Sequence, residues 1–285
     1  TGFMTPSVPF AERWKIIMIN KVIHYCWFGK NPLPEDVLKC IDSWKKYCPD
    51  YEIIQWDETN FDVNQNDYIK EAYQEKKWAF VSDYARLKII YDQGGIYLDT
   101  DVELIKSLDD LLYNKCFFGT ETSEVIATGL GLGAEKGNKF IKMMLDEYEG
   151  AHFVIKKGIY DLTPCPKRNT DPLIREGFKF DNQKIWEKDG CKVYPPEFFS
   201  PINYDTRELV ITDNTYSIHH YSATWIPEGE KKLSKKLDQI KVDHSAIVAF
   251  VLCQKEKYQY EKRIGNCSTI LSYIYRKIIK KLMMR

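Results

Sequence analysis

The stretch that decides the fold is residues 94–102, which read Gly-Gly-Ile-Tyr-Leu-Asp-Thr-Asp-Val. Gly94 and Gly95 end a helical pattern, because glycine adopts the left-handed backbone that often follows a helix at little steric cost. The short apolar run after them predicts a strand. Asp99 and Asp101 stand one residue apart where that run stops. Because side chains alternate along an extended chain, we expect both carboxylates to face one point at a sheet edge.

Two carboxylates at one point repel each other unless a cation lies between or beside them. Hard divalent ions prefer oxygen ligands and leave coordination positions for a phosphate of the substrate. We therefore predict that Asp99 and Asp101 bind Mn²⁺ or Mg²⁺ together with a diphosphate. The alternative is a solvated loop that carries two surface acids, because a bare D-x-D pair also occurs by chance.

Composition indicates an ordinary globular chain, with 285 residues, 44% hydrophobic and 29% charged. The 41 basic residues balance the 41 acidic ones, which argues against a nucleic-acid partner. The eight cysteines contain no C-x-x-C pair and are typical of reduced cytoplasmic thiols. The sequence has no apolar run of the roughly 18 residues that a transmembrane helix needs. These features predict a cytoplasmic protein.

Residues 18–235 are expected to form one catalytic domain, preceded by a segment, 1–17, that we interpret as upstream or vector-derived sequence. A helical region is expected at 236–285. Its last piece, 271–285, has an apolar stripe and a basic face. Such a helix can lie on an anionic membrane surface, or it can dock on its own domain with the basic face in solvent.

The first part of the chain predicts a strand, a helix and a strand, at 22–29, 34–47 and 51–56. This order is typical of a βαβ unit with a parallel sheet. Trp27 stands at the carboxyl end of the first strand, where ligands bind in open α/β sheets. Its indole either stacks on a nucleobase or is simply part of the core.

The strongest predicted helix covers residues 78–93, and Asp83 and Arg86 share one face of it. Buried opposite charges are usually paired whatever their role, so one interpretation is a structural ion pair. The other is that Asp83 accepts sugar hydroxyls and that Arg86 contacts a sugar or a diphosphate.

Further expectations concern the second half of the chain. The small residues Thr128, Gly129 and Gly131 permit a ligand to approach the backbone closely, or serve tight packing. Residues 156–182 are predicted to be a loop-rich insertion with a short helix near Leu173, of the kind that shapes an acceptor pocket.

An edge strand and turn are expected at 193–199. A strand is expected at 217–225, where His219 and His220 face opposite sides and one of them could complete the metal site.

With these residues described, the chain resembles the DXD-motif sugar transferases of glycosyltransferase family 32. These include bacterial capsule-type members and, more distantly, the glucosylating domains of large clostridial toxins. The likeness rests on the I-H-x-x-W-x-G strand, on the block from Phe80 to Asp101, and on residues 193–199 and 219–225. It implies a GT-A fold, which is a Rossmann-like α/β domain that binds a nucleotide sugar, here followed by C-terminal helices. It also implies a transfer that retains the anomeric configuration.

The resemblance also implies roles for individual residues. Trp27 matches the base-stacking residue, and Trp225 matches the indole whose N–H meets the diphosphate. The implied donor-binding residues are Trp27, Ser82, Asp83, Arg86, Tyr97, Asp99 and Trp225. The implied catalytic residues are Asp83, Arg86, Asp99 and Asp101, and the implied ligands of Mn²⁺ are Asp101 and His220. Relatives vary at His219 and His220, so the choice between them stays open.

The expected function is a metal-dependent, retaining hexosyltransferase that uses a nucleotide sugar such as a UDP-hexose. Its acceptor is expected to be a glycan or lipid-linked glycan of a bacterial surface polysaccharide, reached through peripheral contact with the inner face of the plasma membrane. One alternative is a phosphatase of the haloacid-dehalogenase type, whose D-x-D also ends a strand. In that class the nucleophilic Asp lies in the first strand, whereas here two βα units come first. The other alternative is a non-catalytic glycan-binding protein with the same fold.

Overall fold

The computed structural model describes residues 18–121, 124–202, 208–222, 228–244, 246–265, 269 and 273. The chain divides into one compact unit that ends at Ser222 and a second unit that follows it. The expected segment 1–17, the expected tail 271–285 apart from Tyr273, and the expected donor residue Trp225 lie outside the described residues.

Within the described residues, the main sheet of the first unit has seven strands: β1 (Val22–Cys26), β2 (Glu52–Trp56), β3 (Gly95–Tyr97), β5 (Cys116–Gly119), β6 (Leu132–Ala134), β9 (Trp186–Lys188) and β10 (Cys191–Tyr194). They lie in the order β2-β1-β3-β6-β5-β10-β9. Strands β2, β1 and β3 run parallel, as do β5 and β10, whereas β6 and β9 run antiparallel to their neighbours. The expected α/β class with a mostly parallel sheet is therefore confirmed.

The helices pack on this sheet through two hydrophobic clusters, one on each face. Alternation along β5 separates them, because Cys116 and Phe118 belong to one cluster and Phe117 to the other. The helices of this unit are α1 (Glu35–Tyr47), α2 (Asp67–Gln74), α3 (Trp78–Gln93), α4 (Lys139–Asp146), α5 (Cys165–Arg175) and α6 (Pro196–Phe199), with a 3₁₀ helix at Asp109–Tyr113. The predicted helices at 34–47 and 78–93 are confirmed.

The turn between α3 and β3 needs both glycines. Gly94 has a φ of 71° and Gly95 a φ of 100°, which is left-handed backbone that other residues rarely adopt. A Cβ on Gly95 would lie 2.8 Å from Nε2 of His24. The His24 ring is buried, accepts a hydrogen bond from Trp56 Nε1 at 3.0 Å, and donates from Nε2 to the Gly94 carbonyl at 3.0 Å. This imidazole joins the turn to the first βαβ unit.

Two short ribbons accompany the main sheet. Strand β4 (Val102–Leu104) pairs antiparallel with β11 (Ser217–His219), and this register sets His219 opposite Val102. Strands β7 (Val154–Lys156) and β8 (Ile159–Tyr160) form a separate hairpin.

The structure bears on two expectations about local structure. The segment 156–182 contains the expected helix near Leu173, which is the 11-residue α5, together with the short strand β8. The prolines that suggested a loop lie at the start of α5, where proline is tolerated, and at Pro172 within it. Strand β10 is not an edge strand, because it lies between β5 and β9.

The second unit contains α7 (Glu228–Asp243) and α8 (Ala246–Arg263), so the expected C-terminal helices are present. Among the described residues, no helix combines the length and apolar character needed to cross a membrane. Seven cysteines lie among the described residues of both units, and all seven are buried, unpaired thiols.

Candidate active site

The predicted acidic pair lies in a tight turn directly after β3, at the carboxyl end of the parallel strands. The Val102 amide donates to the Asp99 carbonyl at 3.1 Å, which closes the turn before β4 begins. Strand β3 ends at Tyr97 and is central in the sheet. The two carboxylates are therefore brought together by a turn at the end of a central strand. We expected alternation along the strand to place them, but β3 has already ended when Asp99 is reached.

Asp101 is held by the segment that follows β11. Its Oδ1 lies 3.1 Å from His219 Nε2, and its Oδ2 accepts a hydrogen bond from the Ser222 amide at 2.9 Å. Burial opposes the charge of Asp101, but His219 and the Ser222 amide outweigh it and lower the pKa of the carboxyl. Burial likewise opposes protonation of His219, and Asp101 outweighs it, so the pKa of His219 is raised. Asp101 is thus an ionised carboxylate beside an imidazole.

The sequence left the choice between His219 and His220 open, and it is the ring of His219 that lies beside Asp101. The ring of His220, which the resemblance implied as the ligand, lies elsewhere. The backbone amide of His220 donates to the Asp101 carbonyl at 3.0 Å, but its ring is exposed and lies 2.9 Å from Glu103 Oε2. The physical reason is the register of β11 against β4, because successive side chains leave a strand on opposite sides.

Tyr221 completes this turn, and our sequence-based prediction missed it. It adopts a φ of 52°, its ring centroid lies 4.2 Å from that of His219, and its hydroxyl lies 2.5 Å from Ser200 Oγ. A non-glycine residue in the left-handed region is a local strain that other contacts must offset. No sequence pattern signals such a turn, because tyrosine has no preference for that backbone.

Asp99 belongs to a second group of charges, centred on Arg86. The Arg86 guanidinium lies 3.0 Å from Asp83 Oδ1 and 3.3 Å from Asp99 Oδ1. Its Nε donates to the Ser82 carbonyl at 3.2 Å, and its Cζ lies 5.1 Å from the centroid of the Tyr97 ring. The Tyr97 hydroxyl donates to Asp99 Oδ1 at 3.0 Å. Five of the expected site residues therefore meet in one cluster at the start of the acidic turn.

Burial governs the protonation of this cluster. The Arg86 side chain is 8% exposed and that of Asp83 is 14% exposed. Burial raises the pKa of Asp83 to about 6, against the opposing effect of Arg86. Burial also opposes the charge of Arg86, but the neighbouring carboxylates raise its pKa well above the ordinary value. A permanent cation thus lies between Asp83 and Asp99.

Gly129 supplies space for this cluster. Its carbonyl accepts a hydrogen bond from the Asp99 amide at 2.9 Å, and a Cβ at position 129 would lie 1.8 Å from Asp99 Oδ2. At Gly131 a Cβ would instead lie 2.9 Å from the Phe199 ring. From the sequence we expected either a ligand or tight packing close to the backbone here. At Gly129 the group that lies close to the backbone is the Asp99 carboxylate.

Trp27 follows β1 and is half-buried. Its indole Nε1 donates to the Asn31 carbonyl at 2.7 Å, and the residue packs against one of the two hydrophobic clusters. The ring therefore has a fixed orientation at the carboxyl edge of the sheet, and part of it faces solvent. Base stacking by Trp27 stays a prediction.

Among the described residues, one group of side chains has the composition of a metal site: Asp99, Asp101 and His219. One potential ligand atom from each lies within 4.8 Å of the others. Two carboxylates and an imidazole suit Mn²⁺ well, and Mg²⁺ through the oxygens. Nδ1 of His219 is buried and has no hydrogen-bond partner among the described residues. The donor set therefore fits a divalent cation.

Residues 34–118 match the family described as "Glycosyltransferase sugar-binding region containing DXD motif". The matched segment contains Asp83, Arg86, Asp99 and Asp101. This match confirms the expected glycosyltransferase region. Membership of family 32 stays an expectation.

Two curated proteins resemble the chain over part of their length. The chain is 32% identical over 127 residues to inositol phosphoceramide mannosyltransferase 3 of Schizosaccharomyces pombe, which is 43% of this chain and 35% of that protein. It is 32% identical over 107 residues to an uncharacterized glycosyltransferase of Acanthamoeba polyphaga mimivirus, which is 35% of this chain and 43% of that protein. The chain thus spans less than half the length of these relatives.

Among solved structures, the chain is similar to a glycosyltransferase involved in the glycosylation of the major capsid of PBCV-1. That likeness has a TM-score of 0.43 and 12% identity, and it covers 72% of this chain and 95% of the other.

Proposed function

We propose that this chain is a metal-dependent glycosyltransferase that moves a hexose from a nucleotide sugar to a glycan acceptor. The observation that carries the proposal is that two clusters share Asp99: the ion-pair cluster of Asp83 and Arg86, and the metal-type cluster of Asp101 and His219. A cation site beside a guanidinium that stays positively charged is suited to bind a diphosphate. The neighbouring carboxylates can accept hydrogen bonds from sugar hydroxyls.

Asp99, Asp101 and His219 would hold the cation. When bound, a divalent ion neutralises the negative charge that develops on the departing diphosphate. The remaining steps belong to residues of the chain itself.

Arg86 would stabilise the diphosphate and the sugar. Its guanidinium is held by Asp83, Asp99 and the Ser82 carbonyl, so it needs little reorganisation when charge develops. Tyr97 orients Asp99 through its hydroxyl. Asp83 would accept hydroxyl groups of the donor sugar through the part of its carboxylate that Arg86 leaves open.

The base of the donor would stack on Trp27. We propose a uridine nucleotide and a hexose as the donor that the resemblance to family 32, carried by the residues from Trp27 through Asp101, implies. Trp225 would donate to the diphosphate, as the same resemblance implies.

We propose that the transfer retains the anomeric configuration. Asp83 and Asp99 both pair with Arg86, which favours hydroxyl binding over a nucleophilic role for either carboxylate. The acceptor hydroxyl would then attack the sugar face that the diphosphate leaves. From the resemblance we propose a glycan of a bacterial surface polysaccharide as the acceptor. The basic segment 271–285 would bring the enzyme to an anionic membrane surface.

The proposal is tested by measuring nucleoside diphosphate release from a panel of nucleotide sugars, with Mn²⁺ and with EDTA. We expect Mn²⁺-dependent hydrolysis of one donor, most active with a UDP-hexose. Release of phosphate from p-nitrophenyl phosphate without any donor hydrolysis would instead identify a phosphatase. Donor binding without hydrolysis or transfer would identify a glycan-binding protein. Proton NMR of the transfer product reads the anomeric configuration.

A further inference from the structure

The short helix α6 lies beside the strand that carries His219. The Tyr216 amide, directly before β11, donates to the Phe198 carbonyl at 2.8 Å. Ser217 is fully buried, and its hydroxyl donates to the Phe199 carbonyl at 3.5 Å. The Tyr216 ring stacks on that of Phe199, with the centroids 5.8 Å apart. The start of β11 is therefore held against α6.

The residue that follows α6 contacts the chain beyond His219. Ser200 is 2% exposed, and its hydroxyl lies 2.5 Å from that of Tyr221. Two hydroxyls can form this hydrogen bond whichever of them donates. The Ser200 amide donates to the Pro196 carbonyl at 2.7 Å, which fixes the backbone of Ser200 to the helix. The end of α6 therefore contacts the chain both before and after His219.

Tyr221 occupies the turn between the two groups that hold Asp101. Nε2 of His219 lies 3.1 Å from Oδ1 of this carboxylate, and the Ser222 amide donates to Oδ2 at 2.9 Å. The chain has to turn back after His219 for both groups to reach one carboxylate. The left-handed backbone of Tyr221, with a φ of 52°, makes that turn. Its ring also lies against the His219 ring, with the centroids 4.2 Å apart.

The hydrogen bond to Ser200 stabilises this turn. A tyrosine in the left-handed region is strained, and it stays there only where surrounding contacts hold it. Ser200 provides such a contact, because it is buried and its own amide is bonded within α6. Without this hydrogen bond the turn could relax, which would move the Ser222 amide and the His219 ring away from Asp101.

We propose that Tyr221, anchored by Ser200, is a positioning residue for the cation site. It holds the His219 ring and the Ser222 amide at Asp101, so that the metal ligands are in place before the cation binds. Groups that orient metal ligands without touching the metal change its affinity by about 10- to 100-fold. The inference rests on the proposed function, because the cation would assist departure of the diphosphate. It assigns this role to two residues outside the matched segment 34–118.

The test removes one hydroxyl at a time. Tyr221→Phe keeps the ring, Ser200→Ala removes the other hydroxyl, and a double variant lacks both. Tyr194→Phe is the matched control, because Tyr194 is also buried and its ring centroid lies 5.8 Å from that of Phe199 in α6. The Tyr194 hydroxyl, however, accepts from Asn114 Nδ2 at 3.3 Å. Calorimetry with Mn²⁺ alone gives the affinity, thermal unfolding gives the stability, and donor hydrolysis over a Mn²⁺ titration gives kcat.

We expect Tyr221→Phe and Ser200→Ala each to bind Mn²⁺ about tenfold more weakly. The double variant should lose no more than about twofold beyond either single variant, because all three lack the same hydrogen bond. Hydrolysis should need about tenfold more Mn²⁺ for half of its maximal rate, with kcat at saturating Mn²⁺ within about twofold of the parent protein. Tyr194→Phe should lose stability but bind Mn²⁺ as the parent protein does. A merely structural role would lower stability without this pattern.

Unchanged Mn²⁺ affinity in both single variants would overturn the inference, and so would an equal loss in Tyr194→Phe. Losses that multiply in the double variant would also overturn it, since the two hydroxyls would then act separately. If Tyr221→Phe does not fold, Ser200→Ala removes the same hydrogen bond and is compared with the control instead. A parent protein that binds no Mn²⁺ would refute the inference. One that shows the expected Mn²⁺ pattern but hydrolyses no nucleotide sugar would refute the proposed function alone.

Discussion

Nε2 of His219 lies 3.1 Å from Oδ1 of Asp101, although 118 residues separate them in the chain. The contact depends on the antiparallel pairing of β11 with β4, which sets His219 opposite Val102. The neighbouring His220 ring lies against Glu103 instead. Two adjacent histidines therefore have different environments, and each can be replaced without replacing the other.

His219→Ala should lower Mn²⁺-dependent donor hydrolysis by about a hundredfold, because it removes one ligand from the cation that stabilises the leaving diphosphate. His220→Ala should stay within about threefold of the parent protein. Hydrolysis measured over a Mn²⁺ titration checks both, and calorimetry with Mn²⁺ alone separates metal binding from turnover. Equal losses in the two variants, or a larger loss in His220→Ala, would contradict the assignment.

Gly129→Ala should weaken the site because the new methyl group would overlap Asp99 Oδ2, at 1.8 Å. We expect donor hydrolysis to fall at least tenfold as the carboxylate is displaced, with destabilisation of about 1 to 3 kcal/mol from overpacking. Gly131→Ala is the matched control, since its methyl group meets the Phe199 ring instead. Thermal unfolding should show destabilisation of both variants, whereas only Gly129→Ala should lose Mn²⁺ affinity. Normal metal binding in Gly129→Ala would show that Asp99 is not a ligand.

Trp27→Ala should raise the KM for the donor by about ten- to a hundredfold, more than it lowers kcat. Stacking on a base is worth about 1 to 3 kcal/mol and acts in the ground state and the transition state alike. Trp27→Phe keeps an aromatic face and should lose much less. Steady-state kinetics check this, with thermal unfolding as a control for the packing of Trp27. A variant that unfolds, or one whose KM is unchanged, would support a core role alone.

Acid should destabilise the protein through His24. Burial lowers the pKa of His24 to about 4, and its bond to the Gly94 carbonyl offsets this only in part. An unfolded chain titrates this histidine near 6.5, so below that pH the unfolded state binds a proton that the folded state excludes. The contribution of His24 to the free energy of unfolding is fully present above pH 6.5. It falls by about 3 kcal/mol as the pH approaches 4.

His24→Gln is the comparison, because glutamine can donate to Gly94 and accept from Trp56 but does not titrate. Urea unfolding between pH 7.5 and 4 should show a smaller loss of stability in the variant than in the parent protein. An equal loss of stability between pH 7.5 and 4 in the variant and the parent protein would mean that the fold does not hold His24 neutral.

The local elements of this protein could be predicted from its sequence. Helix α3, the turn at Gly94 and Gly95, and strands β1 and β2 depend on periodicity and glycine conformation over a few residues. The pairing of Asp83 with Arg86 also follows locally, because residues three apart share a helix face. The composition of the acidic turn indicated a cation site before any fold was known.

Only the tertiary structure decided which histidine joins Asp101 and that Gly129 makes room for Asp99. These contacts join segments that lie tens of residues or more apart in the chain, and each depends on how two elements pack. A shift of one residue in the pairing of β11 with β4 would turn His220 toward Asp101 in place of His219. The sequence by itself determined the local elements and the chemical character of the site, because both are set by neighbouring residues. Long-range register and packing determined which side chains complete it, since these are properties of the whole folded chain.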